Sequence, residues 1–421
     1  MWSGGPASQP DEDAGRPRPL RVIVVGGSLG GLSAVVWLRD IGCDVTVFER
    51  SSVLLEDRGA GILLNPATVR YFLARKVIDV RRIAAPIRAL QYLGRDGEIL
   101  STRSTSWWSS AYNVIYRSLL GCFDRSRYCL GEEAIGIEQD EQEARVRFAS
   151  DRVERGDLVV FADGVNSAGR RLLAPGCTPA YAGYIAWRGT VSEEQLRPET
   201  FELFHAAITY HLLDAGHTLA YPVPSRDGTV EPGRRLMNWL WYRNVDRSDL
   251  DDLLIGRDGR RFTASVPAGF VAERHIARLH ADARATLPPP FAEIITLTAE
   301  PFIEVIADVE VSRMVFGRAC LMGDAAFRPR PHAAAGTAKA AEDAYQLAMA
   351  LEAHQGDVPS ALRAWEPRQL ALGRAVVERA RQAGDRLQHG RWQVGELVPF
   401  GLYQVSDSTM LEEQLTQGTA L

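Results

Sequence analysis

The chemistry this 421-residue chain can carry lies in three small-residue turns and a scatter of histidine, tyrosine and arginine. Gly26-Gly27-Ser28-Leu29-Gly30-Gly31 places small residues at Gly26, Ser28 and Gly31. That is the spacing of a strand-to-helix turn whose N–H groups and helix dipole receive a pyrophosphate. Serine stands where the middle glycine is usual; it is the next smallest residue and adds a hydroxyl. Glu49 follows about 20 residues on, where an acid accepts hydrogen bonds from a ribose. Asp163-Gly164 and Gly323-Asp324 each follow an apolar run. Asp324 could accept hydrogen bonds from polyol hydroxyls, whereas Asp163-Gly164 taken alone is usually only a turn. His211 titrates near neutrality and is the candidate base. Tyr210 and Tyr221 are candidates to hydrogen-bond the same substrate oxygen, or simply to close a sheet. Arg188 suits a substrate anion or a neighbouring acid. Five scattered cysteines without a C-x-x-C pair give no metal pattern.

These residues sit on elements visible in the hydropathy pattern. Residues 20–25 are a β-branched run ending in the glycine turn. Residues 32–38 read as a helix stopped by Gly42, and 45–48 as a second strand, completing a βαβ unit. From about 180 to 300 the chain is rich in Tyr and Trp, with strand-like runs at 219–223 and 236–242 between turn clusters. This predicts a mainly antiparallel sheet. Alternation sends Trp239 and Trp241 to one face and Tyr242 to the other, where core is the commoner fate. A strand signal returns at 315–322, followed by a helix near 337–352. An amphipathic helix near 361–386 either mediates a homo-oligomer or braces the first domain.

Composition narrows the class of protein. With 46% hydrophobic and 24% charged residues the chain is globular, and a net charge of −5 leaves no electrostatic footprint for nucleic acid or an anionic membrane. No apolar run approaches the ~20 residues of a membrane span, so a cytoplasmic protein is expected. Lys76 and Lys339 are the only lysines, an arginine bias that points to a GC-rich, bacterial source.

The order of the turns, with Gly323-Asp324-Ala325-Ala326 running into Glu342-Asp343-Ala344, resembles the class A flavoprotein monooxygenases, the FAD-dependent aromatic hydroxylases. Tyr181-Ala182-Gly183-Tyr184, Trp187-Arg188-Gly189 and Pro329-Arg330-Pro331-His332 look closer to the dihydroxypyridine hydroxylases than to phenol-directed members. The resemblance covers about residues 20–390. It implies an α/β fold: a Rossmann-like FAD-binding domain with an inserted, mainly antiparallel substrate sheet and C-terminal helices. With the composition and pattern changes along the chain, the expected parts are a disordered arm at 1–19, an FAD domain of 20–85, 104–180 and 301–360, a substrate domain of 86–103 and 181–300, and a helical extension at 361–421.

Residue by residue, the resemblance implies that Gly26, Gly27, Ser28, Leu29 and Gly31 cradle the FAD pyrophosphate. Glu49 would take the adenosine ribose, with Arg50 beside the adenine and Arg117 reaching toward the cofactor. Asp163 would serve FAD and the nicotinamide donor, and Gly323 and Asp324 the ribityl chain. Pro331 would sit over the reacting edge of the flavin, with His332 facing the substrate ring beside it. Gly336, Thr337 and Ala338 would open a helix toward the flavin N1/O2 edge. Phe327, where many relatives carry histidine, argues against an acid–base role there. The implied reaction uses NAD(P)H and O2 to hydroxylate a small aromatic substrate, an electron-rich hydroxypyridine, through a flavin C4a-hydroperoxide. The setting would be pyridine catabolism or the tailoring of a pyridinol natural product. Its rivals are a phenol or naphthol hydroxylase, a flavin oxidase or dehydrogenase, and a non-catalytic FAD-binding protein.

Overall fold

The computed structural model describes residues 18–56, 60–403 and 411–415. The arm expected at 1–19 therefore lies, apart from Arg18 and Pro19, outside the described residues. Two sheets organise the rest. The first has six strands in the order Val315–Phe316, Ala319–Leu321, Leu158–Phe161, Arg21–Val25, Asp44–Glu49 and Tyr128–Leu130. All pairings are parallel except that of Val315–Phe316 with its neighbour. Leu158–Phe161 is fully buried, as a central parallel strand covered on both faces must be. Helix Leu29–Asp40 packs on this sheet and against helix Gly336–Ala353.

The second sheet has ten strands and is mainly antiparallel. Its central strands are Ala180–Ser192, Leu236–Asn244, Gly216–Val223, Ala207–Leu213 and Ala85–Leu93. It draws in more of the chain than the expected substrate domain: Gly61–Leu63, the end of Ile99–Ala111, and Phe302–Glu310 all hydrogen-bond into it. Phe302–Glu310 thus enters from a stretch assigned by pattern to the FAD domain.

The pleat separates this sheet's aromatics. Trp187, Trp239 and Trp241 join Ile294 and Phe291 in a core beneath helices Glu273–Thr286 and Pro289–Leu297. Tyr184, Tyr210, Tyr221 and Tyr242 face the opposite way, toward the first domain. Helix Val358–Gln388 buries Leu362, Trp365, Val376 and Val377 and lies along Gly336–Ala353, bracing the first domain. Residues 391–403 then return irregularly over the inner face of the large sheet, where Trp392, Val398 and Phe400 join its core. No helix among the described residues is long and apolar enough to cross a membrane.

Candidate active site

Two cavities lie between the sheets. One, of about 410 Å³, is lined by Gly26, Glu49, Arg50, Asp163 and Asn166. The other, of about 350 Å³, is lined by Asp324, Pro331, Gly336 and Thr337 on one side and Arg188, Tyr210, Tyr221 and Tyr242 on the other. Ser28, Tyr112, Ala162, Gly164, Glu304 and Arg328 line both, so the two form one elongated groove.

The glycine turn is built as its spacing demands. The backbone folds so tightly that a Cβ at Gly31 would stand 1.9 Å from the Gly26 carbonyl oxygen. Ser28 caps helix Leu29–Asp40 with extended backbone, and its hydroxyl bonds Tyr112 Oη at 2.7 Å. Glu49, buried, accepts from Gly27 N at 2.9 Å with one oxygen and from Ser51 N with the other. It thereby ties the end of the second strand to the turn while lining the groove.

The Asp163 carboxylate is engaged by its own loop. It accepts from Ser167 Oγ and from the N–H groups of Ala168 and Gly169, closing the start of helix Ala168–Leu173. Burial nevertheless pushes its pKa up. Asp324 behaves oppositely. Its carboxylate makes no hydrogen bond among the described residues, faces the groove, and is pushed up by burial against the pull of Arg328 and Lys339. A half-buried carboxylate left without donors fits a chain of hydroxyls, and the start of helix Gly336–Ala353 opens beside it. A continuous groove, a glycine turn at one end and an acceptor at the other fit the ribose, pyrophosphate and ribityl parts of FAD.

Among the residues that hold this geometry, Arg170, Glu304 and Arg328 carried no signal in the sequence. Arg170 donates to the carbonyls of Val165, Asp324 and Ala325, stitching the 163 turn to the 323 turn. Asp343 accepts from Gly323 N at 2.9 Å and from Lys339 Nζ at 2.7 Å, an ion pair wholly out of solvent. Phe327 packs under that ammonium, 4.8 Å from ring centroid to Nζ, so its role is structural. Glu304 binds Arg188 at 2.8 Å and Arg328 at 3.0 Å. Burial raises its pKa, but the two guanidinium charges outweigh this and hold it below the usual carboxylate range. Arg188 therefore has an acid partner and still lines the substrate end.

Two expected residues stand elsewhere. His211 follows Tyr210 on the same strand, so the pleat turns it to the opposite face. There its Nδ1 bonds the Leu93 carbonyl at 2.9 Å and burial lowers its pKa; the structure corrects its reading as the base. Arg117 lines a separate cavity and donates to the carbonyls of Arg226 and Asn113, away from the groove. Arg50, Pro331, His332, Gly336 and Thr337 all line the groove, whereas Ala338 is buried behind it.

Models of known families match three stretches: a pyridine nucleotide-disulphide oxidoreductase model at 21–65, an FAD binding domain-like model at 181–308, and an FAD binding domain model at 272–380. The chain is 36% identical, over 94% of its own length and 99% of the relative's, to 2,6-dihydroxypyridine 3-monooxygenase of Paenarthrobacter nicotinovorans. It belongs to the class A FAD-dependent aromatic hydroxylases. A solved structure of 2,6-dihydroxypyridine-3-hydroxylase from Arthrobacter nicotinovorans superimposes with a TM-score of 0.87, covering 93% of this chain and 98% of that one at 36% identity. Klebsiella pneumoniae HpxO, solved with FAD and uric acid, shares the fold at a TM-score of 0.72 and 22% identity, covering 94% and 93% of the two chains. As a class A hydroxylase the chain is an FAD-dependent aromatic-ring monooxygenase, with NAD(P)H and O2 as co-substrates.

Proposed function

We propose that this hydroxylase acts on an electron-rich hydroxypyridine ring. The observation that carries the reading is the substrate end of the groove. Tyr210 and Tyr242 line it with hydroxyls that form no hydrogen bond among the described residues, and burial raises both pKa values well above the usual phenol value. They therefore stay protonated as donors. Apolar Ile208, Leu219 and Leu240 fill the rest of that wall, so a flat ring with polar substituents at its edge matches it. FAD, when bound, supplies the oxygen-activating chemistry. The chain's own residues bind the ring, orient one carbon toward Pro331 and keep water out. The relative with 36% identity, named for a dihydroxypyridine, supports the same ring class. The reading places the enzyme in the cytoplasm, where the NAD(P)H pool is.

The test is NAD(P)H oxidation by the FAD-loaded protein with hydroxypyridines, phenols and naphthols, with hydroxylated product and H2O2 both quantified. Stimulation by a hydroxypyridine with product matching donor consumed is the expected result. Preference for a phenol or naphthol, or H2O2 as the sole product with every ring, would overturn it.

A further inference from the structure

His332 is buried and lines the substrate cavity, with the rings of Tyr184, Tyr242 and His217 around it. Its Nε2 bonds Tyr184 Oη at 2.9 Å, and Tyr242 and His217 lie 4.8 and 5.2 Å away by ring centroids. Helix Val358–Gln388 presses on one edge of the imidazole. A Cβ at Gly384 would lie 2.7 Å from His332 Cδ2, 3.1 Å from its Nε2 and 2.7 Å from Tyr184 Oη. The Cδ2–Nε2 edge is thus taken by the helix and Tyr184, which leaves the Nδ1 edge for the cavity. No hydrogen bond to Nδ1 forms among the described residues.

Asp308 and Asp385 hold the Arg330 guanidinium at 3.0 and 2.6 Å, with its charge 5.7 Å from the centre of the Tyr184 ring. When the Tyr184 O–H donates to Nε2, the neutral imidazole carries its hydrogen on Nδ1. Burial, reinforced by the Arg330 charge, lowers the His332 pKa to about 3, so no second proton joins it near neutrality. The groups facing His332 are Tyr184, Tyr242 and His217 from the sheet and Arg330 on its own segment, with Asp308 and Asp385 behind Arg330. Burial leaves His217 neutral as well.

We propose that Tyr184 donates to Nε2 and that His332 thereby presents an Nδ1–H which holds a ring oxygen of the bound substrate as its anion. This rests on the hydroxypyridine reading and names the ionisation state that the site selects. The proton balance follows: the substrate O–H ionises on binding, its oxygen accepts from Nδ1–H, and its proton goes to solvent. An anionic oxygen pushes electrons into the ring and makes it a better nucleophile. His332 is thereby a donor to the oxyanion, a different task from general base.

Proton release on binding tests this without turnover. Oxidised, FAD-loaded enzyme is mixed with 2,6-dihydroxypyridine and related hydroxypyridines in weak buffer with a pH indicator, one pH unit below each ring's own pKa. Binding is followed by the flavin absorbance. About one proton released per ring bound is expected. His332→Ala should bind the ring roughly 10- to 100-fold more weakly, the scale of a lost charge-assisted hydrogen bond, and release little proton. Tyr184→Phe frees the tautomer, so Nδ1 becomes an acceptor, the ring binds neutral, and release falls while binding persists. His332→Asn, which can return a donor near the Nδ1 position, should restore release in part. Binding without release by the unaltered enzyme, or unchanged release in His332→Ala, overturns the proposal while leaving the substrate reading intact. Failure of every hydroxypyridine to bind overturns the substrate reading and this proposal together.

Discussion

Lys339 and Asp343, one helical turn apart, are 1% and 0% exposed, and their 2.7 Å bond is what holds the carboxylate that receives Gly323 N. Lys339→Met removes the cation and strands the carboxylate in a core that already raises its pKa. Breaking a buried pair from one side costs about 3–5 kcal/mol, and the ammonium over Phe327 adds about 1 kcal/mol. The single variant should therefore unfold at markedly lower urea, with an unchanged m-value. The sign of its pH dependence follows from the stranded carboxyl, whose folded-state pKa lies above its unfolded value. Protonated, it costs little; the deficit should be small below the unfolded pKa and grow as pH rises through the folded one. Lys339→Met/Asp343→Asn keeps an acceptor for Gly323 N without the charge, so it should recover most of the loss. Urea titrations at several pH values on all three proteins decide it. A double variant no more stable than Lys339→Met, or a deficit independent of pH, would refute the stranded charge as the cause.

Gly31→Ala should yield protein without retained FAD, because its Cβ would meet the Gly26 carbonyl at 1.9 Å; absorbance at the flavin band after desalting shows this. Asp324→Ala should weaken FAD binding by about 1.5–3 kcal/mol, the scale of hydrogen bonds to a charged acceptor, measurable by recovery of flavin fluorescence on dilution. His211→Ala should leave kcat within about twofold while lowering stability by about 1 kcal/mol through the lost Leu93 bond. Tyr210→Phe, one residue earlier and on the cavity face, should do the reverse, raising KM with stability nearly unchanged; paired steady-state kinetics and thermal melts separate the two.

How much was legible in the sequence depended on how local the determinant was. The glycine turn, Glu49 and Gly323-Asp324 are each set by a few consecutive residues, so strand, turn and helix could be read directly, and their order along the chain carried the family. The substrate wall is set by pairing between strands far apart in sequence. Tyr210 opposes Leu219, Leu219 opposes Leu240, and Leu240 opposes Arg188, which puts all four on one face. That register is not visible in any one strand. The pleat alone, however, forbids Tyr210 and His211 from reaching one oxygen, a constraint available from their adjacency. Arg170 and the Lys339–Asp343 pair act only where distant turns meet, and Arg117 has the expected residue type but the wrong side of its helix.

The first sheet has a consequence for how the protein is made. Leu158–Phe161 pairs with Arg21–Val25, made before it, and with Ala319–Leu321, whose end follows it by 160 positions, from Phe161 to Leu321. At about 5–20 residues per second, that interval is roughly 8–32 s. Throughout it, a wholly apolar strand has one edge satisfied and the other bare, the geometry most prone to pairing with another nascent chain. Synthesis speed and holding chaperones then bear on how much of this hydroxylase reaches its folded form.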